Sequence, residues 1–557
     1  MRGGLGGREQ ALERLAATRA EPLDLLVVGG GITGAGAALD AASRGMSVGL
    51  VERADLASGT SSKSSKLIHG GLRYLEQREF GLVREASLER QVLGRLAPHL
   101  VQPVPFVIPV TSRLRRAQFG VGLWAYDALS NFRNSKFHRY LDRDETEELV
   151  PPLPRGKVRG GFTFYDSKTD DVRLVMENLI QAVRLGAVVV NHAGVVGIAP
   201  DEERVEVKVR DEVTGYDMFV HARRVLVAAG VWTDQVEHLA HADVNLALRP
   251  SKGIHLVFSR DSIPLGEAGV FIPDVARRRM LFVIPWLGSV LVGTTDTQYE
   301  GDIDAPPVEP EDRAYCIESL NASFGLGLTE ADICGAFAGL RPLIAGKHGE
   351  TADLSRRHRV YEMGPGVYGV TGGKLTTYRR MSTEAVDKIA SDLDIREDSK
   401  TRWIKLGCSR LKGVLDPATA RARRMGMEAS VAANLVRCYG DRALDVLDLA
   451  ATEGLTQPMS PGHAPLAVEA IYAARQEMAV DLEDVLARRT RLALVDPAGG
   501  MGPGSAAAEI MGAELGWDRA EVRAQIASYR AKLEEERGLP LGSAAAPRAV
   551  TPSVRSG

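Results

Sequence analysis

Leu23-Asp24-Leu25-Leu26-Val27-Val28-Gly29-Gly30-Gly31-Ile32-Thr33-Gly34 joins a short apolar run to a cluster of glycines. Leu25 to Val28 suits a strand buried on both faces. Ile32, Ala35, Ala38, Leu39 and Ala42 then recur at helical spacing, and Arg44-Gly45 supplies a stop signal. Val48 to Val51 reads as a second buried strand. Such a strand–helix–strand unit implies a parallel sheet with helices packed on it. Gly29, Gly31 and Gly34 fit G-x-G-x-x-G at the strand-to-helix turn. The first glycine makes the tight turn, the second lets a pyrophosphate approach the backbone, and the third lets helix and strand pack closely. The phosphate charge then rests on unpaired N–H groups at the positive helix end. Glu52 closes the second strand about 20 residues on, where a carboxylate can hold ribose hydroxyls and disfavours NADP. The pattern predicts a dinucleotide site without separating FAD from NAD.

Composition sets the outer limits. A chain of 557 residues with a hydrophobic fraction of 45% fills roughly two to four domains. A net charge of -3 with 25% charged residues argues against an electrostatic nucleic-acid binder, so no nucleic-acid partner is expected. Cys316, Cys334, Cys408 and Cys438 form no Cys-x-x-Cys pair. That argues against an iron–sulfur cluster, a zinc site or a disulfide framework, and reduced cytoplasmic thiols are expected with no metal. No apolar run reaches the ~18–20 residues of a membrane-spanning helix, and Met1 to Arg19 lacks the apolar core of a secretory signal. The expectation is a protein in solution or on one membrane face.

After about Pro98 the character changes. Val104 to Pro109 and Gly160 to Tyr165 read as strands of a second, more antiparallel sheet, with a helix around Leu174 to Leu185. Short alternating segments between Val188 and Val227 suggest a meander returning to the first domain. Strands reappear at Ile254 to Phe258, Met280 to Ile284 and Val290 to Val292. From about Ala385 Ala, Arg, Glu and Leu dominate and predict helices; the tail from Gly542, rich in Ala, Pro and Ser, is expected to be disordered.

A hydroxyl-rich segment follows the first unit: Thr60-Ser61-Ser62-Lys63-Ser64-Ser65-Lys66-Leu67-Ile68-His69-Gly70-Gly71-Leu72-Arg73-Tyr74-Leu75-Glu76. By composition it is either a set of donors to pyrophosphate and ribityl oxygens or a solvated loop. Together with Gly369 to Arg379, Leu281 to Trp286, Gly293 to Asp296, Ala338 to Leu343, Tyr472 to Glu477 and Asp484 to Arg491, it strongly resembles the FAD-dependent glycerol-3-phosphate dehydrogenases. These lie within the D-amino-acid-oxidase-like flavoprotein superfamily, and the resemblance covers about residues 23 to 535. It implies an α/β fold: a Rossmann-type FAD-binding domain, a mixed or antiparallel-sheet substrate domain and an all-helical C-terminal domain. The expected boundaries are an extension at 1–22 and FAD-binding parts at 23–97, 188–250 and 346–390. Substrate or cap parts fall at 98–187 and 251–345, the helical domain at 391–540, and the tail at 541–557.

The resemblance also implies where FAD lies. Its pyrophosphate would sit at Gly29, Gly31 and Gly34 and its adenosine ribose at Glu52, with Thr60, Ser61, Ser62, Ser65, Lys66 and Leu67 along its middle. Ala229 and Gly230 would supply a second close backbone contact, and Gly372, Gly373, Leu375 and Thr376 would reach the ring end. The implied reaction oxidises sn-glycerol 3-phosphate to dihydroxyacetone phosphate, with the flavin taking a hydride from C2. A phosphate dianion calls for arginine, whose planar fork makes paired charge-assisted bonds. Arg341 is the first choice for that role, ahead of Arg73, Arg356 and Lys374, with a structural ion pair as its alternative; Tyr74 is a further substrate contact. His69 suits a general base near neutrality, or else hydrogen-bonds the flavin or its own loop; His255 is a second candidate. Lys374 would stabilise the developing alkoxide or the reduced flavin's charge.

Electrons must leave again. The family's dehydrogenases are peripheral membrane proteins that pass them to quinone, while its oxidases use oxygen. Ser112-Arg113-Leu114-Arg115-Arg116 followed by Phe119, Val121, Leu123, Trp124 and Tyr126 suits an anionic bilayer surface, or else a core helix with a solvated start. The expected location is cytoplasmic, against the inner face of the cell membrane, and the reading leaves room for a homodimer. The rival readings are an amino-acid or sarcosine-type flavin oxidase and a non-catalytic flavin-binding protein of the membrane surface.

Overall fold

The strand Leu23–Val28 pairs in parallel with Val48–Val51 on one side and Asp217–Val227 on the other, with Leu25 opposite Val48 and Arg224. The computed structural model in which this is seen describes residues 3–71, 79–129, 136–201, 203–241, 248–274, 279–344 and 358–542. Across the first sheet the order is Arg359–Gly364, Val367–Thr371, Asp217–Val227, Leu23–Val28, Val48–Val51 and Val188–Val190. Ala193–Pro200 and Val205–Asp211 hang from the long strand as an antiparallel meander, as the alternation predicted. Leu25, Leu26 and Val27 have no solvent exposure, because helices cover both sheet faces. The helix Ile32–Ser43 follows the glycine turn, ends before Gly45 at φ +89°, and is crossed by Asp171–Arg184 and Tyr378–Asp392.

The second sheet has ten strands among the described residues and is mixed. Leu248–Ser259 lies antiparallel to both Ser289–Gly293 and Ile333–Ile344, and Gln102–Val110 lies antiparallel to Gly160–Lys168. Gln102–Val110 carries Pro103, Pro105 and Pro109, which an internal strand rarely tolerates. On its other side Gly269–Asp274 matches it only at Phe106 and Val107, so the prolines fall outside that parallel match. Aromatic rings of Phe106, Phe164, Phe271 and Phe282 pack beside this strand pair.

Helices dominate beyond Tyr378, including Leu411–Arg424, Ala429–Tyr439, Ala443–Glu453, Val468–Glu477, Ala507–Leu515 and Arg519–Arg537. This region docks against the helix Asp171–Arg184 and the loop after Val48–Val51 through buried ion pairs. Arg173 bonds the Glu477 carboxylate at 2.8 Å, Arg489 bonds Asp55 at 2.6 and 2.8 Å, and Arg442 bonds Glu177. Asp55, His192 and Asp484 bring their ligand atoms within 4.8 Å of one another, but both Asp55 oxygens already accept from arginine. That cluster is part of the docking network.

Candidate active site

The glycine turn is shaped by close approach. Gly29 has φ +115°, and a Cβ on it would stand 2.6 Å from the Ala228 carbonyl oxygen. A Cβ on Gly34 would stand 1.9 Å from the Gly29 carbonyl oxygen, so the third glycine is dictated by the turn itself. Gly31 precedes the helix without a side-chain cap of its own. Ile32 N–H instead donates to Ser61 Oγ at 2.9 Å, which brings the hydroxyl-rich segment against the helix start. Glu52 lies at the end of its strand, accepting from Gly30 N–H at 2.6 Å and Ala54 N–H at 2.9 Å. Burial pushes its carboxyl up, and those two backbone bonds work against the rise.

Residues 60–68 cross from the first sheet to the second. Thr60 Oγ1 donates to Leu340 O at 2.7 Å, and a Cβ on Gly339 would stand 2.5 Å from Lys63 O. Ser62 is buried and its hydroxyl returns to Ser58 O and Gly59 O, closing a single helical turn. Ser65 Oγ lies 2.9 Å from His255 Nε2. Leu67 and Ile68 form a short buried strand against Lys168 and Ser167.

Lys66 adopts φ +58°, and its ammonium turns inward to Asp171 Oδ2 at 2.7 Å and to Ser62 O. The Ser64 hydroxyl donates to the same oxygen at 2.7 Å, and Arg491 from the helical region takes Asp171 Oδ1. Lys66 Nζ also stands 4.7 Å from the Phe337 ring centre. Burial, partly offset by Asp171 and reinforced by Arg491, lowers the ammonium pKa to about 8. The Lys66 side chain therefore braces the segment from behind. The sequence held no signal for this: Asp170-Asp171 marks a helix start, and nothing local names its distant partners.

His69 follows the short strand. Its backbone N–H donates to Thr376 Oγ1 at 3.1 Å, and Thr376 Oγ1 donates to His69 O at 3.3 Å. Gly70 N–H donates to Asp166 Oδ1 at 3.0 Å. Asp166 in turn binds Arg90 and the Tyr126 hydroxyl, a buried cluster that the sequence reading did not single out. Thr376 belongs to the turn Leu375–Thr377, which leads into Tyr378–Asp392 after Gly372 and Gly373 at φ +79° and +82°. Ser382 of that helix donates to Thr33 O at 2.9 Å. The helices that follow the two glycine-bearing loops, Ile32–Ser43 and Tyr378–Asp392, are thus fastened to one another. Thr371 Oγ1, at the end of the adjoining strand, is buried and has no hydrogen-bond partner among the described residues.

His255 is buried, with its ring stacked on Phe337 at 5.0 Å between centres. Burial, then the charges of Lys66 and Arg341, hold its pKa well below the ordinary imidazole range. A neutral ring already shared with Ser65 is a weak base. Arg341 is half-buried on Ile333–Ile344. Its Nη2 donates to Thr294 Oγ1 at 3.0 Å and Thr295 O at 3.2 Å, and its Nη1 reaches Asp296 at 3.3 Å and Ser251 Oγ at 3.4 Å. A Cβ on Gly253 would stand 2.3 Å from Nη2, so the glycine makes room for the guanidinium. Ala229 and Gly230 lie just past the strand Asp217–Val227, beside the glycine turn. Lys374 precedes the Leu375–Thr377 turn and is half-buried. Arg73, Tyr74 and Arg356 lie outside the described residues.

Two sheets meeting at a glycine cradle, with a long hydroxyl-bearing segment between them, define a protein of the dinucleotide-binding class. The FAD dependent oxidoreductase family matches residues 24–379, and the C-terminal domain of alpha-glycerophosphate oxidase matches residues 400–522. Glycerol-3-phosphate dehydrogenase 2 of Mycobacterium tuberculosis is 40% identical over 522 residues, covering 93% of this chain and 89% of that protein. Aerobic glycerol-3-phosphate dehydrogenase of Staphylococcus epidermidis is 35% identical, covering 84% and 86%. The crystal structure of the glycerol-3-phosphate dehydrogenase from Bacillus halodurans complexed with FAD superposes with a TM-score of 0.79 at 30% identity, covering 96% of this chain and 98% of that one. The chain belongs to the FAD-dependent glycerol-3-phosphate dehydrogenases. FAD is its cofactor, and the cradle at Gly29 to Gly34, the Glu52 carboxylate and the buried Thr371 hydroxyl, without a partner among the described residues, fit that group.

Proposed function

We propose that the protein oxidises sn-glycerol 3-phosphate to dihydroxyacetone phosphate and passes the electrons to a quinone. The observation that carries this reading is Arg341: a half-buried guanidinium held in a fixed pose by Thr294, Thr295, Ser251 and Asp296 on the second sheet. Its fork would bind the substrate phosphate by charge-assisted hydrogen bonds. When bound, FAD supplies the hydride acceptor. The backbone of 29–34 would hold its pyrophosphate and Glu52 its ribose. Ser61, Ser65 and Leu67 would line its middle from 60–68, while Gly372, Gly373, Leu375 and Thr376 would face its ring end. His69, held on both sides by Thr376 and Asp166 through its backbone and that of Gly70, would take the C2 hydroxyl proton. Lys374 would stabilise the developing alkoxide.

Among the described residues no helix is long and apolar enough to cross a membrane. The helix Arg113–Leu129 nevertheless presents Leu114, Val121 and Trp124 outward at 80%, 74% and 62% exposure while burying Leu123 and Tyr126. With Arg113, Arg115 and Arg116 at its start, this face supports docking on an anionic bilayer, where a quinone is reached.

The test is Arg341→Ala. FAD stays bound, and transition-state stabilisation for glycerol 3-phosphate falls by about 3–5 kcal/mol, the scale of two lost hydrogen bonds to a charged group. Anaerobic flavin reduction by glycerol 3-phosphate at the wild-type rate in that variant would refute the assignment.

A further inference from the structure

A cleft of about 210 Å³ opens where the end of the strand Gly160–Lys168, the hairpin turn at Leu287-Gly288 and the helix Ala429–Tyr439 meet. None of its lining residues belongs to the glycine cradle or to the Arg341 site. Five charged side chains that line it decide its character: Lys168, Asp170, Arg260, Glu267 and Arg437. The carboxylates are already committed. Glu267 pairs with Arg260 at 2.9 Å, and Asp170 lies 3.5 Å from Arg491 Nε as well as capping its own helix. Among the described residues the Lys168 side chain forms no hydrogen bond or ion pair, and the Arg437 guanidinium bonds the Asn434 side chain, at 2.5 Å. Among the described residues neither of these two cations is therefore within ion-pair distance of a carboxylate. Burial, with Arg260 and Arg437 adding to it and Glu267 opposing, pushes the Lys168 ammonium pKa down, which an anion in the cleft would reverse.

We propose that this cleft is a second anion site, taking a phosphate dianion either free or as the head of a small phosphomonoester. A dianion matches the two uncompensated charges, one a guanidinium fork and the other a point charge. The volume lies below the roughly 300 Å³ at which pockets for drug-sized ligands begin, so a three-carbon ester fits and a nucleotide does not. Because Lys168 belongs to the second sheet and Arg437 to the helical region, occupancy would tie these two parts together.

The experiment is a calorimetric titration of the FAD-loaded protein with inorganic phosphate, in an Arg341→Ala background that removes the contribution of the substrate site. Saturable phosphate binding is expected there. Adding Lys168→Met or Arg437→Met should raise the phosphate Kd at least tenfold, the scale of a lost hydrogen bond to a charged group, with an unchanged flavin spectrum reporting an intact fold. A parallel titration with dihydroxyacetone phosphate separates the sources: tighter binding than inorganic phosphate assigns the ester, and equal or weaker binding assigns the free anion. The proposal is overturned if Arg341→Ala abolishes all phosphate binding, or if both cleft variants leave the Kd unchanged. Equal affinity for acetate would also overturn it, since the site would then not select a dianion.

Discussion

Asparagine in place of Asp171 would keep the side chain's shape and remove its charge. Asp171 is fully buried and holds Lys66 Nζ at 2.7 Å, the Ser64 hydroxyl at 2.7 Å and the Arg491 guanidinium. Without it two buried cations remain, and Asp170 stands 3.5 Å from Arg491 Nε. Breaking a buried pair in this way costs about 3–5 kcal/mol. Lys66 has an outlet, because its pKa is already lowered to about 8, chiefly by burial, and it can discharge near neutrality for about 1–2 kcal/mol. Arg491 has none. We therefore expect a loss of about 3 kcal/mol for Asp171→Asn, concentrated in the segment 60–68 that fastens the two sheets. In a protein of several docked parts this shows as separate events. Urea titration followed by flavin fluorescence and by far-ultraviolet circular dichroism should find flavin released well before the helices melt. An unchanged midpoint for flavin release would refute the reasoning.

Three further outcomes are expected. Lys66 loses its proton near pH 8 in the folded protein and near 10.5 unfolded, so the unfolded chain binds more protons between those values. Its contribution to stability is then fully present above pH 10.5 and fades as pH falls to 8, by about 3 kcal/mol in all, and Lys66→Met should flatten that slope in denaturation midpoints measured across the range. Gly34→Ala puts a Cβ 1.9 Å from the Gly29 carbonyl, forcing the turn to move by about 1 Å, a displacement of the size that costs about a hundredfold in a positioned site. FAD content after gel filtration should collapse, whereas Gly122→Ala, a helical glycine with nothing within 4 Å, should retain FAD and gain up to about 1 kcal/mol. A variant carrying Leu114→Glu, Val121→Glu and Trp124→Glu should stay in the soluble fraction when floated with anionic liposomes at low salt; flotation equal to wild type would remove this helix from the docking face.

The parts of the fold legible in the sequence are those with short-range causes. The run Leu23–Val28, the helical spacing from Ile32 and the stop at Gly45 each depend on neighbours a few residues away, and each element forms where that spacing predicts. Val205–Asp211 alternates buried and exposed side chains along its strand, as its sequence alternation indicates. Strand order in the second sheet was not legible, because Gln102–Val110 finds partners at Gly160–Lys168 and Gly269–Asp274 that no local pattern specifies. The same holds for side chains. His255 reads as a candidate base until its ring is found buried against Phe337 and bonded to Ser65. The place of Lys66 in the hydroxyl-rich segment is legible, whereas the meeting of its ammonium with Asp171 appears only in the structure.

By itself the sequence determined the periodicities, the glycine turn, the acid at the end of the second strand and the family motifs, since these are properties of adjacent residues. Only the tertiary structure decided which charges meet. Asp55 and Arg489 are 434 residues apart, and Asp171 and Arg491 are 320 apart. A Coulomb interaction depends on distance and burial in space, and both appear only after the helical region has docked.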